Sequence, residues 1–277
     1  MSERGEGDYI HGTSPTEQAR LSLLNSLLNE SCVRELNLQG TERIIDFGCG
    51  LAQFTRLMAR RVRSGGKAVG IERDSKQLAE ALRASELDLV ELRQGDVYSL
   101  PLAEHEWGTF DLAHARFLLE HLQNPLEVVQ SMVRTLRPGG RIILADDDHE
   151  LLHLWPEPPG FLALWQAYMQ SYQLNGTDPH IGRRLVSLIQ AAGARPVRNT
   201  WVFFGACSGN PNFEAYVENL AGVILTARER ILTVGLFSPA SFDETLAALW
   251  AWSRGPDAAL WYGLCWAEGV KQGDLEN

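Results

Sequence analysis

Lysine is the residue this chain has least of. Lysine stands only at 67, 76 and 271, and the formal net charge over 277 residues is -10. Affinity for a nucleic-acid backbone rests on Lys and Arg neutralising phosphates, so this balance argues against a nucleic-acid partner. Cysteine is sparse as well. Cys32, Cys49, Cys207 and Cys265 are scattered and form no Cys-x-x-Cys pair. They read as reduced thiols of a cytoplasmic protein, neither a disulfide framework nor a zinc site. No apolar run is long enough to span a bilayer, and Met1–Asp8 has no signal-peptide core. Internal repeats and low-complexity segments are missing too. What remains is a globular composition, 45% hydrophobic and 22% charged, of a length that suits one elaborated α/β domain.

The stretch Arg43–Met58 organises the chain. Ile44, Ile45 and Phe47 form a short apolar run of the kind buried on both faces of a parallel sheet. It stops at Gly48-Cys49-Gly50, where the backbone can turn sharply and a ligand can approach it. Leu51, Phe54, Leu57, Met58 and Val62 then repeat at helical spacing. Strand, glycine turn and helix open a nucleotide-binding unit whose helix N-terminus offers free N–H groups to a negative ligand group.

The dinucleotide fingerprint Gly-x-Gly-x-x-Gly is incomplete, because Gln53 stands at its third glycine. Asp46 at the strand end would repel a diphosphate and attract an ammonium group. A ligand carrying both an amine and a carboxylate fits better. The segment resembles motif I of the class I S-adenosylmethionine-dependent methyltransferases, Asp/Glu-x-Gly-x-Gly-x-Gly, with Ala52 at the last glycine.

Further segments carry the same resemblance. Lys67–Ile71 is a second strand ending at Glu72, which matches the family's ribose-binding acid, beside Arg73. Leu89–Arg93 is a third strand, and Gly95-Asp96-Val97 through Leu100-Pro101 resembles the adenine-binding segment. There Asp96 faces the exocyclic amine and the Val97 N–H a ring nitrogen. Phe110–Ala113 is a fourth strand running into His114, Ala115, Arg116 and Phe117. Leu136-Arg137-Pro138-Gly139-Gly140 and the strand 141–145 follow the family's Leu-x-Pro-Gly-Gly pattern.

The resemblance implies a Rossmann-like, seven-stranded, mostly parallel sheet with an antiparallel last strand and helical cap insertions. It divides the chain into a helical lead-in (1–40), a cofactor core (41–148), a cap insertion (149–180), a core helix and strand (181–206), a second cap insertion (207–256) and a last strand with tail (257–277). Ser14, Pro15 and Glu17 start a lead-in helix as cap, first turn and capping box. Ser241 is expected to cap a late helix. Residues 118–122 are expected to be helical, with His121 serving packing or a cap rather than chemistry.

The implied activity is methyl transfer from S-adenosylmethionine to a small, partly apolar acceptor. Cofactor contacts fall on Asp46, Gly48, Cys49, Gly50, Glu72, Arg73, Asp96, Val97, His114 and Ala115. Acceptor contacts fall on Arg116, Phe117 and Trp165. Candidate bases are His114, His149 and Tyr9; Tyr9 also belongs to a Tyr-x-x-Gly segment that either covers the cofactor or is a plain tail. Asp146-Asp147-Asp148-His149 can supply a base, a divalent-metal site or only a solvated acidic loop. No second ligand cluster accompanies it, so no metal is expected. The aromatics beyond Trp155 line an acceptor pocket or fill a core. The expected partners are the acceptor and at most a second copy of the chain. The alternatives are a non-catalytic S-adenosylmethionine sensor or partner subunit and, against Gln53, a nicotinamide-dependent oxidoreductase.

Overall fold

The computed structural model describes residues 14–62, 66–83, 90–233 and 235–273. Its strands are β1 (Arg43–Phe47), β2 (Lys67–Glu72), β3 (Val90–Gln94), β4 (Phe110–Arg116), β5 (Leu136–Asp147), β6 (His153–Trp155), β7 (Ala194–Cys207) and β8 (Ala259–Lys271). Strands β3, β2, β1, β4 and β5 are neighbours in that order and parallel throughout. Alone among the described strands, β8 runs the other way. β5 and then β6 pair along one of its edges and β7 along the other. The sheet therefore has eight strands, the additional one being the three-residue β6. β7 and β8 are longer than their apolar runs suggest, because they pair with each other as a ribbon from Ala194↔Lys271 to Cys207↔Ala259.

Side chains alternate across a strand, so each central strand feeds two cores. Ile45, Phe47, Ala113 and Ile142 join α4 (Pro125–Thr135) and α6 (Leu185–Ala191) on one face. Ile44, Leu112 and Ile143 join α1 (Pro15–Glu35) and α2 (Gln53–Arg61) on the other, around a Trp266 with no exposed surface. α3 (Ser75–Arg83) flanks β2 and β3. Burying one such side chain contributes about 1.5–3 kcal/mol relative to leaving it exposed.

A third core lies above the sheet. It is built from α5 (Phe161–Leu174), α7 (Phe213–Thr226), α8 (Arg228–Thr233) and α9 (Pro239–Trp252), around Trp165, Tyr168, Tyr172, Val217 and Phe242. No described helix is long and apolar enough to cross a membrane.

Local chemistry sets the helix starts. The Ser14 hydroxyl accepts from the Glu17 N–H, ahead of Pro15. The late helix is capped by Ser238 and not Ser241: Pro239 takes the first turn, and the Ser238 hydroxyl accepts from the Ser241 N–H. The expected helix at 118–122 is a single 3-10 turn, Leu119–His121. Phe117 enters it with a left-handed φ of 53°. The Asp146 carboxylate at the tip of β5 accepts the Leu118 and Leu119 N–H groups, and Pro125 then restarts the chain as α4.

Candidate active site

The glycine turn lies between β1 and α2. Gly48 and Gly50 have φ of 67° and 54°, and a Cβ on Gly48 would stand 3.0 Å from Leu118 Cδ1. Ala52, at the motif's last glycine, also adopts a left-handed φ of 54°. That conformation costs an alanine about 1–2 kcal/mol.

Glu72 ends β2 with its carboxylate beside this turn. Its Oε2 accepts from the Gly50 N–H at 2.9 Å and its Oε1 from the Asp74 N–H at 2.7 Å. Burial raises its pKa from the usual value, against those two hydrogen bonds. Asp96 lies just past β3 and accepts from the Tyr98 N–H, so a tight turn fixes the carboxylate. Val97 is buried in the sheet core, Ala115 is buried in β4, and Arg73 is exposed. The Cys49 N–H donates to the Ile71 carbonyl, and burial pushes the Cys49 thiol well up.

Asp46 lies deeper than a strand-tip acid. It is 4% exposed, and its Oδ2 accepts from the Thr55 hydroxyl of α2 at 2.5 Å. Its Oδ1 lies 2.7 Å from His114 Nδ1. Asp46 and His114 thus tie β1, β4 and α2 together, which alters the expectation that Asp46 stands open to an amine. His114 Nε2 is buried with no hydrogen-bond partner among the described residues. Arg116 reaches α1, where its Nη2 donates to Asn25 at 2.6 Å and Asn29 at 2.8 Å. The guanidinium covers the Phe54 ring at 4.1 Å, and Nη1 is buried with no hydrogen-bond partner among the described residues.

A cavity opens at the β4–β5 tips, under α5 and α7 and beside α1, with about 730 Å³ of space when its solvent-open mouth is counted. Phe117 and Trp165 of the expected acceptor set line it; Arg116 does not. Of the three candidate bases, His149 lines it and His114 is sealed in the sheet. Tyr9 lies outside the described residues.

His149 is held on every side. Its Nδ1 is 2.7 Å from the Tyr262 hydroxyl and its Nε2 is 3.0 Å from Glu120 Oε2. Its carbonyl accepts from Trp165 Nε1 at 2.7 Å, and the Trp165, Tyr168 and Tyr172 rings pack around it. Burial lowers the His149 pKa and pushes the Glu120 carboxyl up to about 7. Asp147 is pushed well above the carboxylate range by burial and by the charge of Glu120, and its Oδ1 is buried without a hydrogen-bond partner.

Glu120 is a residue the sequence reading passes over. Its signal is there, one acid inside the apolar run Leu118–Leu122, where a carboxyl is not expected unless it has work to do. Two donor groups among the described residues have metal-ligand spacing. Glu120, Asp147 and His149 present atoms within 4.8 Å of one another, as do Asp148, Glu150 and His180. The second trio is already neutralised by Arg183, which holds Asp148 in two hydrogen bonds at 2.7 Å and Glu150 at 2.8 Å.

Known proteins share a domain and a fold with this chain. Residues 45–144 match the methyltransferase domain family. An uncharacterized 37.1 kDa protein of a Streptomyces fradiae transposon is 30% identical over 68% of this chain and 52% of its own length. The demethylmenaquinone methyltransferase of Bacillus cytotoxicus is 24% identical over 51% of this chain and 63% of that protein. The chain thus spans less than two thirds of these curated relatives. Among solved structures, an S-adenosylmethionine-dependent methyltransferase from Aquifex aeolicus superposes with a TM-score of 0.52 at 19% identity, over 69% of this chain and 93% of that one. The glycine turn, the buried acid at the tip of β2 and the buried Arg116 Nη1 suit a ligand with sugar hydroxyls and a carboxylate. Residues 45–144 thus carry a methyltransferase domain, on a fold that the chain shares with S-adenosylmethionine-dependent methyltransferases.

Proposed function

We propose that this protein methylates a small, partly apolar acceptor held in the cavity at the β4–β5 tips. The observation that carries the reading is the His149–Glu120 pair, buried in an aromatic-walled cavity on the same sheet edge as Glu72 and the glycine turn. S-adenosylmethionine supplies, when bound, a sulfonium-activated methyl group. Glu72 would accept the ribose hydroxyls while keeping the Gly50 N–H, Asp96 and Val97 would meet the adenine, and Arg116 Nη1 would meet the carboxylate.

The cap's part is to align the acceptor and exclude water, which carries much of the rate when the methyl group is already activated. A weakly acidic acceptor also has to lose a proton. Glu120, with a pKa near 7 and His149 beside it, takes up that proton at working pH. The non-catalytic reading expects side chains to fill the acceptor space, and the open cavity speaks against it. The test is calorimetric titration with S-adenosylhomocysteine followed by methyl-transfer assays against small aromatic alcohols, acids and amines. Micromolar binding with turnover on at least one acceptor class is expected. Failure to bind S-adenosylhomocysteine overturns the proposal.

A further inference from the structure

The cavity has an electrostatic imbalance. Its walls carry two carboxyls, Glu120 and Asp147, and one permanently charged cation, Arg20. Arg20 is already matched: its guanidinium holds the buried Glu17 carboxylate through two hydrogen bonds, at 2.8 and 2.6 Å, and the Asn219 side chain at 3.2 Å. His149 is shared between Glu120 and Tyr262. Tyr262 hydrogen-bonds the Asp147 carboxyl, yet Asp147 Oδ1 is buried with no hydrogen-bond partner among the described residues, in a residue only 8% exposed. A buried acceptor atom without a donor costs about 1–3 kcal/mol, more when charged, so such an atom in a cavity wall points to a ligand that donates to it.

The rest of the wall defines that donor. Phe117, Tyr172, Phe204, Tyr216 and Tyr262 surround the space with ring faces and edges. Rings attract a cation that has lost its water, and carboxylates attract it more strongly. Resting on the methyltransferase reading, we infer that the acceptor is an aryl- or alkyl-amine, bound as its ammonium ion with an N–H donated to Asp147 Oδ1 and its carbon skeleton against the rings. Burial favours the protonated form of Asp147 in the empty cavity, and an ammonium ion beside it stabilises the ionised form; a neutral alcohol offers a hydrogen bond but no charge to do so. A carboxylate acceptor is repelled.

The reaction this implies is balanced. The ammonium ion first gives one N–H proton to Glu120, on the same cavity wall as Asp147, which frees the nitrogen lone pair. That pair forms the N–C bond, the C–S bonding pair stays on sulfur, and one proton leaves to solvent per turnover. The same three groups have the spacing for a divalent ion. Both His149 nitrogens are engaged, however, and the surrounding wall is aromatic, which favours an organic cation.

The test compares head groups on one skeleton. The full-length protein, with and without saturating S-adenosylhomocysteine, is titrated calorimetrically with phenethylamine, phenethyl alcohol and phenylacetate, then with benzylamine and tryptamine. At least one amine is expected to bind tenfold or more tightly than the alcohol, and phenylacetate not at all. Asp147→Asn is expected to erase that preference while the affinity for S-adenosylhomocysteine stays within twofold. Equal binding of amine and alcohol, or no binding of any amine, overturns the inference even in wild-type protein, where folding of a variant is not at issue. Tight uptake of Mn2+ or Zn2+ that is lost in Asp147→Asn also overturns it, in favour of a metal site. Loss of S-adenosylhomocysteine binding alone, with amine preference intact, sinks the methyltransferase reading and leaves the amine site standing.

Discussion

Glu72 reaches back from the tip of β2 to accept the Gly50 N–H at 2.9 Å. The acid expected to hold the ribose thus also holds the glycine turn in shape. Removing it should cost twice, once as a ligand contact and once as a turn restraint. Charge-assisted hydrogen bonds contribute about 1.5–3 kcal/mol each, so Glu72→Ala should weaken S-adenosylhomocysteine binding by roughly tenfold to a hundredfold. Unchanged affinity by calorimetry would remove Glu72 from the site.

Arg116 separates two assignments. Sequence reasoning places it on the acceptor side, whereas the structure turns it toward α1 and Phe54, away from the cavity lining. Arg116→Ala should therefore lower cofactor affinity at least fivefold and loosen α1. Amine or other acceptor binding should change little. A loss confined to acceptor binding would restore the first assignment.

Glu120 predicts a pH dependence. Its folded pKa, near 7, lies above the ordinary 4.5, so the folded protein holds that proton more tightly than the unfolded chain. The associated stability is complete below about pH 4.5 and is lost as pH rises through 7, on the order of 3 kcal/mol at most. Burial of His149 acts in the opposite direction, its lowered pKa costing stability as pH falls below about 6.5. Comparing Glu120→Gln with wild type isolates the first effect. By urea denaturation the variant should gain on wild type between pH 5 and pH 8, and a constant difference across that range would be inconsistent with a protonated Glu120.

Ala52 offers a test of backbone strain. Replacing alanine by glycine ordinarily destabilises a fold by raising unfolded-state entropy. Here the residue sits at φ 54°, which glycine adopts without penalty. Ala52→Gly should leave stability unchanged or raise it by up to about 1 kcal/mol. A drop in melting temperature of several degrees would mean that the alanine methyl, fully buried, packs better than the strain costs.

The core of the fold was legible because it is local. The β1 turn, the Glu72 position, the Asp96–Pro101 spacing and the Leu-x-Pro-Gly-Gly turn are each written in a few consecutive residues. The acceptor cavity was not, because its parts are remote in sequence: Arg20, Glu120, His149, Tyr172 and Tyr262 meet only when α1, the β4–β5 tips, α5 and β8 converge. The surroundings of Asp46 were hidden for a related reason. An acid at a strand end looks open until the fold shows Thr55 and His114 beside it. The 118–122 segment misled because leucine periodicity promises a helix, and only Asp146, from another strand, explains the short turn.

Helix α1 is fastened at both ends of the chemistry. Asn25 and Asn29 grip Arg116 at the sheet, while Arg20 grips Asn219 in the cap. One rod thereby couples the β4 tip to the helical cap, so that a displacement at either contact is felt at the other.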